Sequence, residues 1–350
     1  MTRAFSRRDV IRQARGLELA TPFLSLIACG GSAGRRLTLI AGTTMGTSYS
    51  VKIPQLPTQV DRHALEADIA QILETVNAQM STYRPDSELS RFNAASAASW
   101  TEVSSDTLHV VEAALDTSRL LEGAFDPTVG PLVELWGFGP GGRAPNVPTE
   151  DRIRDLLRNI NYGHLRTRAA PAALGKAREG LGIDLSGIAK GFAVDKLAEH
   201  LERNGIEYYL VEIGGELRGR GYSPRGDIWR VGIERPSSAS GAVQRVVRLG
   251  GQALATSGDY RIFFERDGSR YSHILDPRNG RPVDHGLASV TVVAPSTLEV
   301  DALSTALMVL GPEAGFELAR RDGIAAFFIA KTDRGFAERV APEFAPYLIA

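Results

Sequence analysis

The chain has 350 residues, of which 43% are hydrophobic and 23% charged, and its formal net charge is −1. This composition is typical of a soluble globular protein, and the near-neutral charge argues against nucleic acid as a partner, because nucleic-acid-binding proteins usually carry a basic face. Cys29 is the single cysteine, so neither a disulfide within the chain nor a zinc site built from cysteines can form.

The segment 1–34 has the features of an export signal rather than of a folded domain. A pair of arginines, Arg7 and Arg8, precedes a short apolar stretch at about residues 20–28, which ends directly before Cys29. The stretch is too short to span a bilayer, which needs about 20 apolar residues. This order resembles a twin-arginine export signal followed by a bacterial lipobox, in which the cysteine receives lipid. The resemblance implies an exported lipoprotein anchored to a membrane at its periplasmic face; a disordered tail with a chance cysteine is the alternative.

In the remainder of the chain, residues 35–350, apolar periodicity alternates between helical and strand spacing. Predicted helices occupy 61–80, 105–121, 149–159, 186–204, 298–310 and 313–321. Predicted strands occupy 37–53 (as a strand or a hairpin), 181–185, 208–213, 228–233, 243–249, 260–265, 271–275, 289–293 and 325–330. Many neighbouring strands are linked by hairpins, and no internal linker is long enough to separate domains. We therefore expect an α+β fold with largely antiparallel sheets and packed helices in one unit.

The segment 183–191 leads from a predicted strand into a predicted helix through Ser186 and Gly187. The start of a helix exposes unpaired N–H groups and a positive dipole end, which suits a phosphate, and Lys190 adds a positive charge nearby. The glycine spacing matches neither a P-loop nor a dinucleotide-binding fingerprint. The alternative is structural: Ser186 caps the helix, while Asp184 and Lys190 lie in solvent.

Asp301 and Thr305 lie four residues apart on an otherwise apolar predicted helix, so they share one face. Together they offer the hard oxygen ligands that Mg²⁺ prefers, and a backbone carbonyl, waters or substrate phosphates could complete the coordination shell. The alternative is that Asp301 lies in the first helical turn, where the helix dipole favours it, while Thr305 packs in the core.

Two further segments combine reactive or aromatic side chains with turns. His273 lies at the end of a predicted strand before the turn at 276–280, where a neutral imidazole could accept a hydroxyl proton; a lone histidine is more often structural. The stretch 123–139 places aromatic residues beside flexible backbone, so its rings could stack on a flat ligand or belong to the core.

These four segments occur in one order together with Thr-Met-Gly-Thr at 44–47 and Met-Ser-Thr-Tyr at 80–83. The combination, which runs from about residue 42 to residue 311, resembles the FAD:protein FMN transferase family, also called ApbE. The resemblance implies one catalytic unit of α+β architecture related to the T-fold. It also implies transfer of FMN from FAD to a threonine of a target protein, with release of AMP. The implied metal is Mg²⁺, with Mn²⁺ as the alternative, and FAD is the implied substrate.

The same resemblance implies roles for individual residues. Those that match FAD contacts are Met45, Tyr83, Ala124, Phe125, Asp126, Asp184, Lys190 and Leu275. Those that match the metal site are Gly187, through its backbone oxygen, and the side chains of Asp301 and Thr305, with Ser304 adjacent. His273 matches the residue that activates the incoming threonine, and Asp184 could instead act as the base or orient it.

Two rival functions stay open on sequence alone. A Mg²⁺-dependent FAD pyrophosphatase would use the same site without a protein acceptor, whereas a non-catalytic flavin-binding lipoprotein would need no base. The family's targets carry a motif resembling Asp-Gly-x-Thr-Ser-Gly-Ala-Thr, and family precedent points to subunits of membrane redox complexes. The local run at 267–270 has no threonine in the right place, so we do not expect the chain to flavinylate itself.

Overall fold

The centre of the fold is an eight-stranded sheet in which neighbouring strands run antiparallel. The computed structural model describes residues 37–142, 144–237 and 241–349. Within them the strands are β1 (Thr38–Thr44), β2 (Thr47–Ile53), β3 (Trp100–Glu102), β4 (Leu165–Ala169), β5 (Ala172–Lys176), β6 (Tyr209–Ile213), β7 (Glu216–Arg220), β8 (Trp229–Glu234), β9 (Val243–Leu249), β10 (Ala253–Gly258), β11 (Phe263–Arg266), β12 (Ser269–Ser272), β13 (Leu275–Asp276), β14 (Arg281–Pro282), β15 (Leu287–Ala294), β16 (Ala325–Thr332) and β17 (Gly335–Val340). The helices are α1 (Arg62–Met80), α2 (Glu88–Ala94), α3 (Ser105–Leu120), α4 (Gly130–Trp136), α5 (Glu150–Leu157), α6 (Ala189–Arg203) and α7 (Thr297–Arg321). The central sheet has the strand order β1-β2-β6-β7-β10-β15-β16-β17, which confirms the predicted antiparallel α+β class.

Apolar residues cover both faces of the central sheet. Val290, Val292 and Phe328 belong to the main core, which the apolar faces of α1, α3, α6 and α7 complete. Val293 and Phe327, their neighbours along the same strands, belong to a second, smaller core shared with the β8–β9 ribbon. The two cores follow from the strand geometry, because successive side chains of a strand point to opposite faces.

The β1–β2 hairpin turns at Met45 and Gly46, which adopt φ values of 49° and 72°. Two successive left-handed residues make the type I′ turn that suits the twist of a tight hairpin. The finding confirms the predicted hairpin at 37–53. It also places Met45 at the end of the sheet close to the β6–β7 turn, where the N–H of Gly214 donates to the carbonyl oxygen of Ser48.

Helix α7 is fixed at its beginning and broken near its middle. The carboxylate of Asp195 accepts hydrogen bonds from the backbone N–H groups of Thr297 and Leu298, which otherwise lack partners in the first turn. At Gly311 the backbone leaves the helical region (φ 84°, ψ −176°), directly before Pro312. The break agrees with the predicted end of one helix and start of another.

The predicted strand at 181–185 was wrong, because this extended segment pairs with no strand in the part of the chain that the structure describes. The side chain of Asn93 replaces a neighbouring strand: it accepts from the N–H of Ile183 and donates to the carbonyl oxygen of Ile183, each across 2.8 Å. The helix that follows begins at Ala189 rather than at Ser186. The sequence patterns also did not predict the helices α2 and α4, the strands β7, β10, β14 and β17, or the small sheet of β3, β4 and β5.

No helix among the described residues is long and apolar enough to cross a membrane. The segment 1–34 and Cys29, which the sequence predicts to be a signal and a lipidation site, lie outside the described residues. Export, lipidation and the boundary after residue 34 therefore stay predictions.

Candidate functional site

Helices α6 and α7 approach each other closely where Gly191 meets the first turns of α7. A β-carbon at Gly191 would lie 2.2 Å from the carbonyl oxygen of Thr297 and 2.9 Å from Cβ of Asp301, so only glycine fits there. The N–H of Gly191 donates to Oδ2 of Asp301 across 2.9 Å. Asp301 is only 2% exposed, and this hydrogen bond fixes its carboxylate at the helix crossing.

One helical turn further along α7, Thr305 faces the turn that precedes α6. A β-carbon at Gly187 would lie 3.2 Å from Oγ1 of Thr305 and 3.3 Å from Cε2 of Phe125. The structure therefore brings Gly187, Thr305 and Phe125 together. Asp301 and Thr305 lie on one face of the helix, as their spacing requires.

Ser304 lies beside Thr305 but is fully buried. Its hydroxyl donates to the carbonyl oxygen of Asp301 across 3.0 Å and shares a 2.9 Å hydrogen bond with Oγ of Ser257. Oγ of Ser257 also lies 3.3 Å from Oγ1 of Thr305. Ser304 thus supports the helix and its hydroxyl neighbours, while Thr305 is the residue that faces Gly187.

A cation at this site would meet oxygen atoms of mixed type rather than a cluster of carboxylates. Within the described ranges, no group of three or more His, Cys, Asp or Glu residues could hold a metal ion. The available donors are the carboxylate of Asp301, the hydroxyl of Thr305 and the carbonyl of Gly187, all of them hard oxygens of the kind that Mg²⁺ takes. The missing side chain of Gly187 keeps the space beside Thr305 open. These residues fit Mg²⁺ if ligand phosphates or waters complete the coordination.

Glu216, which sequence analysis missed, begins β7 and supplies a second buried carboxylate. Nζ of Lys190 lies 3.1 Å from Oε1 of Glu216 and 3.4 Å from Oδ1 of Asp301. These ion pairs rule out the alternative in which the Lys190 side chain lies in solvent. Burial works to lower the pKa of Lys190, but the two carboxylates raise it overall and keep the ammonium charged. Burial raises the pKa of Glu216, and the Lys190 ammonium opposes that rise. The glycine pair before Glu216 was the available sequence signal.

His273 is oriented by the segment that precedes β11. Its Nδ1 and its backbone N–H each lie 3.1 Å from the carbonyl oxygen of Ile262. A carbonyl oxygen only accepts, so Nδ1 carries the hydrogen and Nε2 keeps a free lone pair. Burial lowers the pKa of His273; the hydrogen bond to Ile262 opposes this, and the Lys190 ammonium lowers the pKa further. A neutral imidazole with a free Nε2 is the form that a general base requires.

Phe138 connects His273 to Tyr83, through its ring on one side and its backbone carbonyl on the other. The ring centroid of Phe138 lies 6.4 Å from that of His273 and 5.7 Å from that of Phe264. The hydroxyl of Tyr83 donates to the carbonyl oxygen of Phe138 across 3.1 Å. Tyr83 is 70% exposed, so its ring is available to stack on a planar ligand, whereas Leu275 is buried in the small core behind these rings.

Ala124, Phe125 and Asp126 form a buried segment whose carboxylate is already satisfied. Oδ1 of Asp126 accepts from the N–H and the hydroxyl of Thr128, and Oδ2 accepts from the N–H of Tyr162. Burial raises the pKa of Asp126, and the hydrogen bonds from Thr128 and Tyr162 oppose that rise. Any contact from this segment to a ligand would therefore come from its backbone or from the ring edge of Phe125.

Asp184 shapes the turn before α6. Its Oδ1 accepts from the N–H of Ser186 across 2.7 Å, and its N–H donates to the carbonyl oxygen of Pro127 across 2.8 Å. The structural alternative, in which Ser186 caps the helix, does not hold, since α6 begins after Ile188 with no side-chain cap. Burial raises the pKa of Tyr83, and the charges of Asp184 and Glu134 raise it further.

Residues 45–328 match the ApbE family. The FAD:protein FMN transferase of Vibrio cholerae is 47% identical over 309 residues, which cover 88% of this chain and 92% of that protein. The protein of the same name from Escherichia coli K12 is 40% identical over 316 residues, 90% of each chain. Among solved structures, the flavin transferase ApbE from Vibrio cholerae superposes with a TM-score of 0.83 at 45% identity, covering 89% of this chain and 99% of that one. The apo form of the flavinyl transferase ApbE from Pseudomonas stutzeri has a TM-score of 0.84 at 42% identity, with coverages of 92% and 99%.

Proposed function

The chain belongs to the ApbE family, and on that premise we propose that it transfers FMN from FAD to a protein. One observation carries the proposal: the span that matches the family, residues 45–328, contains all the residues that the structure gathers around Asp301 and His273. The acceptor group is a threonine hydroxyl, and the second product is AMP. In the transfer, the acceptor oxygen bonds to the FMN phosphorus, the bond of that phosphorus to the bridging diphosphate oxygen breaks, and AMP leaves.

The proposed metal is Mg²⁺, with Mn²⁺ as a substitute. Asp301, Thr305 and the carbonyl oxygen of Gly187 would hold it, and the carboxylate is already oriented by the N–H of Gly191. When bound, the ion would neutralise negative charge on the diphosphate of FAD. Ser304 supports this set from behind through its hydrogen bond to the carbonyl oxygen of Asp301.

His273 is the proposed base. Its Nε2 would accept the proton of the threonine hydroxyl, because the hydrogen bond of Nδ1 to Ile262 leaves Nε2 unprotonated. Tyr83 would stack on the flavin, with Met45, Leu275 and the segment 124–126 around it. Asp184 and Lys190 would contact FAD as well, and Asp184 could orient the threonine.

The acceptor and the location are proposed from the sequence. The acceptor carries a motif resembling Asp-Gly-x-Thr-Ser-Gly-Ala-Thr and belongs to a membrane redox complex. The chain is exported, by the twin-arginine route, and anchored at the periplasmic face through lipid on Cys29. Support comes from the order of paired arginines, apolar stretch and cysteine in the segment 1–34.

The test is to incubate the full chain with FAD, MgCl₂ and a peptide that carries the acceptor motif. We expect mass spectrometry to show one added FMN on the peptide threonine and an equal amount of AMP in solution. Free FMN with an unmodified peptide would instead support the pyrophosphatase. Bound FAD with no release of AMP would support a non-catalytic carrier.

A further inference from the structure

Lys190 lies between two carboxylates that are almost excluded from solvent. Its Nζ is 3.1 Å from Oε1 of Glu216 and 3.4 Å from Oδ1 of Asp301, and Glu216 and Asp301 are 4% and 2% exposed. The third contact of Nζ is the carbonyl oxygen of Ser186, at 3.4 Å. The ammonium therefore shares Asp301 with any cation that binds there.

The carboxylate of Glu216 can accept a further hydrogen bond. Its Oε2 is buried and has no hydrogen-bond partner among the described residues. The atom lies by the β6–β7 turn, 3.5 Å from where a β-carbon of Gly214 would stand. Because a buried carboxylate oxygen without a partner is costly, a positive group that moves toward Glu216 would be stabilised.

A divalent cation at Asp301 would stand next to the Lys190 ammonium, and two positive charges at one carboxylate oxygen repel each other strongly in a site shielded from water. We infer that Glu216 is a positioning residue, which draws the Lys190 ammonium away from Asp301 so that Asp301 can ligate the cation. The inference rests on the metal site of the proposed function. Glu216 itself does not touch the cation in this arrangement; it acts through Lys190.

The test measures binding of Mn²⁺ alone to the full chain by electron paramagnetic resonance of the free ion, so it does not depend on turnover. We expect Glu216→Gln to weaken Mn²⁺ binding by about tenfold or more, the usual effect of removing a group that orients a metal ligand. Adding Lys190→Met to Glu216→Gln removes the competing ammonium. The double variant should therefore bind Mn²⁺ with an affinity within a few-fold of that of the unsubstituted chain.

Glu212→Gln is the matched control, since Glu212 also pairs with a lysine, in its case Lys52 of the neighbouring strand β2, across 3.9 Å. It should leave Mn²⁺ binding unchanged. Unchanged binding in Glu216→Gln, or no recovery in the double variant while circular dichroism shows a native fold, would overturn the inference. If the unsubstituted chain binds no Mn²⁺, both the proposed metal site and this inference are wrong. If it binds Mn²⁺ with an affinity that Glu216→Gln does not change, only this inference is wrong.

Discussion

The backbone N–H of Gly191 in α6 donates to the carboxylate of Asp301 in α7 across 2.9 Å, a contact between residues that lie 110 positions apart in the chain. The contact forms because Gly191 has no side chain to separate the two helices. It holds the proposed metal ligand in place before any ion arrives, so the site is preorganised by the helix packing.

Gly191→Ala should destabilise the protein. Alanine in a helix normally gains about 1 kcal/mol over glycine, but here the new methyl group would stand 2.2 Å from the carbonyl oxygen of Thr297, a backbone atom that cannot move aside cheaply. Overpacking of this kind costs about 1–3 kcal/mol and occasionally more, so the clash outweighs the gain. Urea unfolding should show a lower midpoint. Gly250→Ala, whose methyl group would meet only Ile228 at 3.7 Å, is the control and should unfold nearly as the parent does.

Asp301→Asn should abolish metal-dependent transfer while the fold survives. The asparagine oxygen can still accept from the N–H of Gly191, but the charge that attracts a divalent ion is gone. A metal is worth several kcal/mol in the transition state, so we expect a loss of at least about 100-fold in the initial rate of peptide flavinylation. Glu299→Gln, an exposed change on the same helix, is the control. Full activity of Asp301→Asn in the presence of EDTA would contradict the metal assignment.

His273→Asn should slow transfer by about 10²–10⁴-fold with little change in FAD affinity, because only the proton acceptor is lost. The pH dependence has a definite sign. A base must be neutral, and burial lowers the pKa of His273, so the acid limb of kcat/KM should have its midpoint below the ordinary histidine value of about 6.5. His63→Asn, a change at an exposed histidine, should leave the profile as it is. A midpoint above that value, or an acid limb that persists in His273→Asn, would argue for another base.

Tyr83→Ala should weaken FAD binding by about 0.5–1.5 kcal/mol if its exposed ring stacks on the flavin, whereas Tyr83→Phe keeps the ring and should bind almost normally. Flavin fluorescence quenching gives both affinities. Tyr222→Ala removes a tyrosine ring that is 47% exposed and packs near Tyr208, and it serves as the control. Equal losses in Tyr83→Ala and Tyr83→Phe would assign the effect to the hydrogen bond with Phe138 instead.

Local patterns predicted most of the helices and the class of fold. The capping of α1 by Asp61 and the break in α7 at Gly311 follow from side-chain and backbone preferences that act within a few residues, so the sequence displays them directly. The strand predicted at 181–185 failed for the opposite reason. The backbone of Ile183 is hydrogen-bonded to the side chain of Asn93, a partner 90 positions away that no local pattern reveals.

The sequence by itself determined that Asp301 and Thr305 share a helix face and that His273 precedes a turn, because residue spacing fixes which side chains lie together on one element. Only the tertiary structure decided what faces them. It placed Gly187 against Thr305, put the ammonium of Lys190 between Asp301 and the unpredicted Glu216, and set the proton of His273 on Nδ1 through the carbonyl of Ile262. Contacts such as Lys190 to Asp301, 111 positions apart, depend on how sheets and helices pack. Burial then strengthens the attraction between the two charges, because the effective dielectric constant is lower away from water.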